Sequence, residues 1–324
     1  MNRKSFIKSS VAAIGAMGVG MAYGKGAAGL APVITGEGGN NNRQSQSVPL
    51  VKMNDGWHIP MVGLGVYSLP KDVTVKAVKT AVELGYRLVD TAQVYGNEAE
   101  VLEGIRQSGV PREEIFITTK VSPRNMNNRT VKESLEESWR KLGSKYIDLV
   151  IIHFPVKKEG DIEATWKEME RFAESGKTRS IGISTFQEHH IDDLLKYARI
   201  KPALNQIEIH PYFTQQENVG YNLVKDITVQ GWSPFGSGKN GVLQDPVIAE
   251  VAKRYNKSVA QVILRWNIQR GILVIPRSTN PDHMKENQEI FDFELSPVDM
   301  SIVNGLNRNE VWEPLGDPDV RPWE

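Results

Sequence analysis

The chain has 324 residues with 39 basic and 39 acidic side chains, so its formal charge is zero and it lacks the net positive field of a nucleic-acid or anionic-membrane binder. Hydrophobic residues at 40% together with 28 glycines give a globular composition and exclude disorder or collagen. There is no cysteine, which removes disulfides, thiolate metal sites, a cysteine nucleophile and a lipoprotein anchor.

Residues 1–47 read as a targeting segment rather than as fold. Met1 to Ser10 carries Arg3, Lys4 and Lys8 and no acid, and Val11 to Gly24 is small and apolar, too short to span a bilayer. Gly26 to Ser47 is rich in Gly, Asn, Gln and Ser and reads as a flexible linker. The run Arg3-Lys4-Ser5-Phe6-Ile7-Lys8 resembles a twin-arginine export signal, with Lys4 in place of the second arginine. A periplasmic location is therefore expected; the alternative is an N-terminal extension on a cytoplasmic protein. No membrane span is expected in the mature form.

Residues 48–324 read as one domain. Val51-Lys52-Met53 and Trp57-His58-Ile59-Pro60 flank Asn54-Asp55-Gly56, a hairpin signal. Strands are then expected at Met61–Val66, Arg87–Thr91, Ile115–Val121, Asp148–His153, Ser180–Thr185, Ala203–Ile209, Thr228–Phe235 and Leu273–Ser278. Helical patterns lie between them, among others at Val73–Leu84, Thr130–Leu142, Glu163–Ser175 and Ser258–Gln269. This alternation predicts an α/β fold, a (β/α)8 TIM barrel with the N-terminal hairpin closing its bottom. A doubly wound sheet fits less well, because Gly63-Leu64-Gly65-Val66-Tyr67-Ser68 lacks the third glycine of a dinucleotide fingerprint.

In such a barrel the chemistry sits at the C-terminal strand ends. Those ends hold Asp90, Lys120 and His153, and Tyr95 follows on the loop after Asp90. Each alone has an ordinary structural explanation; together they form a proton-donating set. A phenol with a pKa of about 10 needs a nearby cation to favour its anion, and a partly buried lysine needs a carboxylate to stay charged. Asp90 is the candidate partner for Lys120, and His153 can orient a substrate oxygen. What this set lacks is a donor of negative charge to the carbon.

The segments Asp90–Glu98, Thr119-Lys120-Val121, Ile152-His153-Phe154-Pro155, Gly182–Phe186, Asn205–Pro211 and Ile275–Ser278 resemble, in order, the signatures of the aldo-keto reductases. That resemblance runs from about Val48 onward and implies a barrel that reduces carbonyl compounds with NADP(H). It makes Tyr95 the general acid, tuned by Lys120 and Asp90, with His153 positioning the carbonyl. It also implies cofactor contacts: Ser184, Thr185 and Gln206 at the carboxamide, Trp232 stacked on the nicotinamide, and Ser233, Phe235 and Ser237 at the pyrophosphate. Arg277, Ser278, Thr279, His283, Glu286 and Asn287 fall at the adenosine end. Two departures stand out. Thr185 replaces the usual asparagine, and His283 replaces an arginine that grips the 2′-phosphate, which predicts relaxed discrimination against NAD(H). The C-terminal region is similar to the branch containing 2,5-diketo-gluconate reductases.

Tyr67 and Phe154 are expected to border the substrate beside His153, and Ser122 opens a wall where many relatives carry tryptophan. Trp312 and Trp323 lie in a tail that either folds over the mouth or anchors the terminus. His189-His190 is expected to begin a helix in solvent, His210-Pro211 to be structural, and no spacing makes a metal site. Two other readings compete with a small-molecule reductase. One is a nicotinamide-nucleotide sensor on the same fold; the other is a glycosidase, which would need a second well-placed carboxylate. The oligomeric state is left open.

Overall fold

The computed structural model describes residues 48–126, 130–143, 145–155, 161–311 and 318–319. Residues 1–47, read above as a targeting segment and linker, and Trp312 and Trp323 lie outside the described residues. Two strands, β1 (Leu50–Lys52) and β2 (His58–Pro60), pair antiparallel around Gly56, whose φ of 93° suits the turn. Eight more form one parallel sheet in sequential order: β3 (Leu64–Gly65), β4 (Leu88–Asp90), β5 (Phe116–Val121), β6 (Ile147–Ile152), β7 (Thr178–Ser184), β8 (Leu204–Glu208), β9 (Thr228–Trp232) and β10 (Leu273–Val274). A parallel bridge between Val62 and Val274 joins the last strand to the first, with Gly63 N–H donating to Val274 O at 2.9 Å.

The helices are α1 (Lys71–Glu83), α2 (Glu98–Ser108), α3 (Val131–Lys141), α4 (Asp161–Glu174), α5 (Glu188–Leu195), α6 (Gln216–Val224), α7 (Pro246–Tyr255), α8 (Val259–Gln269), α9 (Pro281–Glu286) and α10 (Pro297–Asn304). Local sequence sets several ends. Ser258 and Gln261 form a capping box at α8, and Asp245 caps α7 ahead of Pro246. No helix among the described residues is long and apolar enough to cross a membrane.

Most of the strands are buried on both faces, which is why they read as continuous apolar runs. Their two-residue period nevertheless sorts the side chains. Leu88 and Phe116 join Leu149, Leu204 and Leu273 in one buried cluster, together with Met53 and Ile59 of the hairpin. Val89 and Ile117 belong to a different cluster, shared with the helices. The same alternation carries Asp90 and Lys120 upward from Leu88 and Phe116 to the C-terminal rim.

The first and last strands are shorter than the sequence suggests, two residues each. Gly63 and Gly65 explain the first. A Cβ on Gly63 would meet Leu88 Cγ at 2.5 Å, and one on Gly65 would meet Ile275 O at 2.8 Å. This glycine pair thus serves close strand approach at the seam of the sheet, not phosphate binding. The expected strand to Phe235 stops at Trp232, because Ser233 turns to a φ of 51°.

Candidate active site

Asp90 ends β4, Lys120 lies near the end of β5, and His153 follows β6, so neighbouring strands deliver them to one rim. Lys120 is 1% exposed. Its Nζ pairs with Asp90 Oδ1, donates to Thr91 O at 2.9 Å, and lies 3.4 Å from Tyr95 Oη. The ammonium also lies 5.0 Å from the Tyr95 ring centre. Tyr95 meets the rings of Tyr67 and His153 edge-on, at 5.0 and 5.6 Å between centroids. The four residues predicted as a set therefore stand together.

Electrostatics correct one expectation. Burial, then the Asp90 carboxylate, then Tyr67 hold the Tyr95 phenol well above its ordinary pKa, not below it. The carboxylate that keeps Lys120 charged also cancels much of the field that the lysine would project onto the phenol. Burial pushes the Lys120 ammonium down, and Asp90 opposes that shift. Burial and the Lys120 charge hold His153 well below 6.5, so its imidazole is neutral. The resting site presents a protonated phenol and a neutral ring.

Asp90 has a second buried partner. Gln206 Nε2 donates to Asp90 Oδ2 and to Gln230 Oε1, both at 2.7 Å. The amide group expected at a cofactor thus already orients the carboxylate. Ser184 Oγ donates to Gln206 O at 2.8 Å and is buried. Thr185 adopts a φ of 64°, strained for a β-branched residue by roughly 1–3 kcal/mol. The asparagine implied by the resemblance occupies that region more readily.

After β9 the backbone turns repeatedly left-handed, at Ser233, Gly236, Ser237 and Gly238. Ser233 Oγ and Ser237 Oγ are 2.9 Å apart. Such turns gather backbone N–H groups into a concavity that suits an anion. Trp232, just before these turns, and Phe235, within them, are half-buried. A cavity of about 390 Å³ beside Thr185 and Trp232 is bordered by tail residues Asn309, Val311 and Pro318.

The remaining predicted contacts are more open. Arg277 is exposed and donates to Tyr67 O at 3.0 Å. Ser278 Oγ accepts from Asn280 N–H at 3.1 Å, while Thr279 and His283 are exposed and Glu286 is half-buried. Asn287 is buried near Tyr86, whose hydroxyl donates to Met284 O at 2.9 Å. Tyr67 is exposed at the rim, whereas Phe154 is 1% exposed.

A family model described as "Aldo/keto reductase family" matches residues 60–308. The chain belongs to the aldo/keto reductase family. It is 44% identical to the uncharacterized oxidoreductase YtbE of Bacillus subtilis (strain 168) over 272 residues, 82% of this chain and 95% of that protein. It is 43% identical to glyoxal reductase from the same strain over 268 residues, covering 82% and 96%. Among solved structures, the Bombyx mori aldo-keto reductase in complex with NADP aligns at TM-score 0.79 and 36% identity, over 85% of this chain and 98% of that one. The parallel-stranded α/β fold is that of its TIM-barrel relatives, and family membership makes the chain an oxidoreductase of the carbonyl-reducing type.

Three residues of this aldo/keto reductase carry more of the site than sequence reasoning assigned them. Gln93 ties the Tyr95 loop to α3, donating to Ser134 O and Ser138 Oγ at 3.1 Å. Asn97 accepts from Thr91 Oγ1 at 2.7 Å and donates to Val66 O at 3.0 Å. Glu98 is buried and accepts from Thr119 Oγ1 at 2.6 Å. Their only sequence signal is the polar residues Gln93, Asn97 and Glu98 set around Tyr95. His190 also differs from expectation: it is half-buried, and its Nδ1 accepts from Gln187 N–H at 3.2 Å. In the neutral ring that leaves Nε2 protonated, a donor toward Asp319 Oδ1 at 3.3 Å rather than a metal ligand. His210 is buried against Glu208.

Proposed function

We propose that this chain reduces aldehydes and ketones to alcohols, with Tyr95 as the general acid. The observation that carries this reading is the Tyr95 hydroxyl, 3.4 Å from a buried Lys120 ammonium that is itself held by Asp90. When bound, a reduced nicotinamide dinucleotide supplies the hydride. The neutral His153 ring offers an N–H to the substrate oxygen and fixes its position. Tyr95 gives its proton to that oxygen as charge develops there, and the phenolate left behind is stabilised by Lys120. Asp90 keeps Lys120 charged, and Gln206 keeps Asp90 in place.

The residues present fit such a cofactor. The left-handed turns of Ser233–Gly238 form an anion-binding concavity, and Trp232 offers an aromatic face beside Ser184 and Thr185. In this reading Phe235 joins Ser233 and Ser237 at the pyrophosphate. Arg277, Ser278, Thr279, His283, Glu286 and Asn287 take the adenosine end, where exposed Arg277 is the main cation for a 2′-phosphate. NADPH is preferred, and with histidine at position 283 NADH is also used. Tyr67 and Phe154 flank the substrate beside His153. We also assign the chain to the 2,5-diketo-gluconate reductase-like branch, residues 48–324 to the catalytic barrel with the β1–β2 hairpin as its floor, and residues 1–47 to an export signal and linker leading to the periplasm.

Absorbance at 340 nm with glyoxal and a panel of other carbonyl compounds tests the reading. Cofactor consumption that requires a carbonyl substrate is expected with NADPH and, more weakly, with NADH. Stoichiometric NADPH binding without turnover across the panel would contradict it and favour the sensor.

A further inference from the structure

The turn that carries Tyr67 leaves β3 and is held from two sides. On one side Val66 N–H donates to Asp90 O at 3.1 Å, and Asn97 Nδ2 donates to Val66 O at 3.0 Å. Both partners lie in the segment that bears Tyr95. On the other side Arg277 Nη1 donates to Tyr67 O at 3.0 Å, joining residues 210 apart in sequence. Gly65 N–H donates to Pro276 O at 3.2 Å just before the turn. The chain then reverses at Ser68, whose φ of 58° is a left-handed conformation that costs a serine free energy. The bond that closes the turn, from Leu69 N–H to Val66 O, is 3.4 Å long. A strained turn with a long closing bond depends on its outside holds.

The position of this turn bears on the chemistry. The Tyr67 ring is 48% exposed, so core packing does little to fix it, yet it meets the Tyr95 ring edge-on at 5.0 Å. Its place over the proton donor is therefore set by its own backbone, and Arg277 grips that backbone at the tyrosine itself. Among the described residues the Arg277 guanidinium makes this hydrogen bond and no ion pair. A guanidinium has five N–H donors, so one spent on Tyr67 O leaves others for a phosphate. Holding the turn and binding an anion are compatible tasks for one side chain.

We propose that Arg277 is a positioning residue for the carbonyl pocket: by holding Tyr67 O it keeps the Tyr67 ring against Tyr95. The residue assigned to the cofactor's 2′-phosphate then also sets how tightly the carbonyl substrate is held. The proposal rests on carbonyl reduction at Tyr95 with Tyr67 beside the substrate.

Two measurements test it together. One is amide hydrogen exchange in the unliganded protein; the other is kinetics at saturating NADPH, with the carbonyl compound of the panel that is turned over fastest. In Arg277→Met the amides of residues 66–69 should exchange at least threefold faster. KM for the carbonyl compound should rise about fivefold, the size of one hydrogen bond, and change more than kcat does. Arg277→Lys should recover part of both effects, because an ammonium still donates to a carbonyl oxygen. Placed on Tyr67→Ala, the Arg277→Met change should move carbonyl KM by less than twofold, since the ring that it positions is gone. Both side chains are exposed, so these variants should fold, and unchanged melting temperatures would verify it. A rise in KM for NADPH alone, with carbonyl KM at its wild-type value, overturns the proposal whether or not exchange quickens. An equal rise in carbonyl KM with and without the Tyr67 ring overturns it too, as does a rise without faster exchange. Failure of the wild type to reduce any compound of the panel instead removes the catalytic reading beneath it.

Discussion

At the ends of β4, β5 and β8, Asp90, Lys120 and Gln206 are almost fully buried, and the polar atoms of Lys120 and Gln206 converge on Asp90. On the β10 side, Arg277, Thr279 and His283 stand exposed, and apart from the Arg277 bond to Tyr67 O the bonds cited there are short-range turns and caps. The contrast follows from what each half has to do. Charge that develops during a reaction is best met by dipoles already fixed in a water-poor site. A phosphorylated ligand arriving from water needs accessible cations, at little cost in buried charge. Changes in the closed half should therefore alter rate, and changes in the open half should alter cofactor choice.

Among substitutions that spare the phenol, Lys120→Met should have the largest effect. It leaves Asp90 buried without its cation, and kcat should fall by roughly a hundredfold or more while the Kd for NADPH, read by fluorescence quenching, stays within about threefold. An equal loss in cofactor affinity would erase the distinction between the halves. Gln93→Met removes four hydrogen bonds that hold the Tyr95 loop and should lower kcat by about tenfold, with KM for NADPH little changed. His283→Arg should do the reverse, raising the NADPH-over-NADH ratio of kcat/KM by about fivefold through KM alone. A change in kcat would show that the open half reaches into the chemistry.

The pH profile gives the mildest test. His153 is held below its ordinary pKa and Tyr95 above its own, so neither changes charge between about pH 7 and pH 9. The kcat/KM for reduction should be flat over that interval. Because the folded His153 resists protonation more than the unfolded one, its contribution to stability is complete above about pH 6.5 and declines as pH falls below it. The melting temperature should drop on that acid side.

The closed half was the more legible in sequence. Strand alternation places Asp90 and Lys120 at the rim, and residue chemistry then suggests their pairing. What alternation cannot supply is the competition among neighbours: that Asp90 both holds Lys120 and raises the phenol's pKa depends on distances set by separate strands. Gln206 likewise reaches Asp90 across the barrel, from β8 to β4, with no local pattern to announce it. In the open half, the left-handed turns at Thr185, Ser233 and Ser237 fall on residues that do not signal them. The Gly63 and Gly65 pair resembles part of a nucleotide motif until the close approach of Leu88 and Ile275 gives it another purpose.

Proton delivery by Tyr95 is measured by single-turnover oxidation of pre-bound NADPH in the Tyr95→Phe variant. The variant should bind NADPH with nearly wild-type affinity and reduce a carbonyl at least a hundredfold more slowly, in keeping with the loss of a general acid. A variant that turns over at the wild-type rate would contradict it.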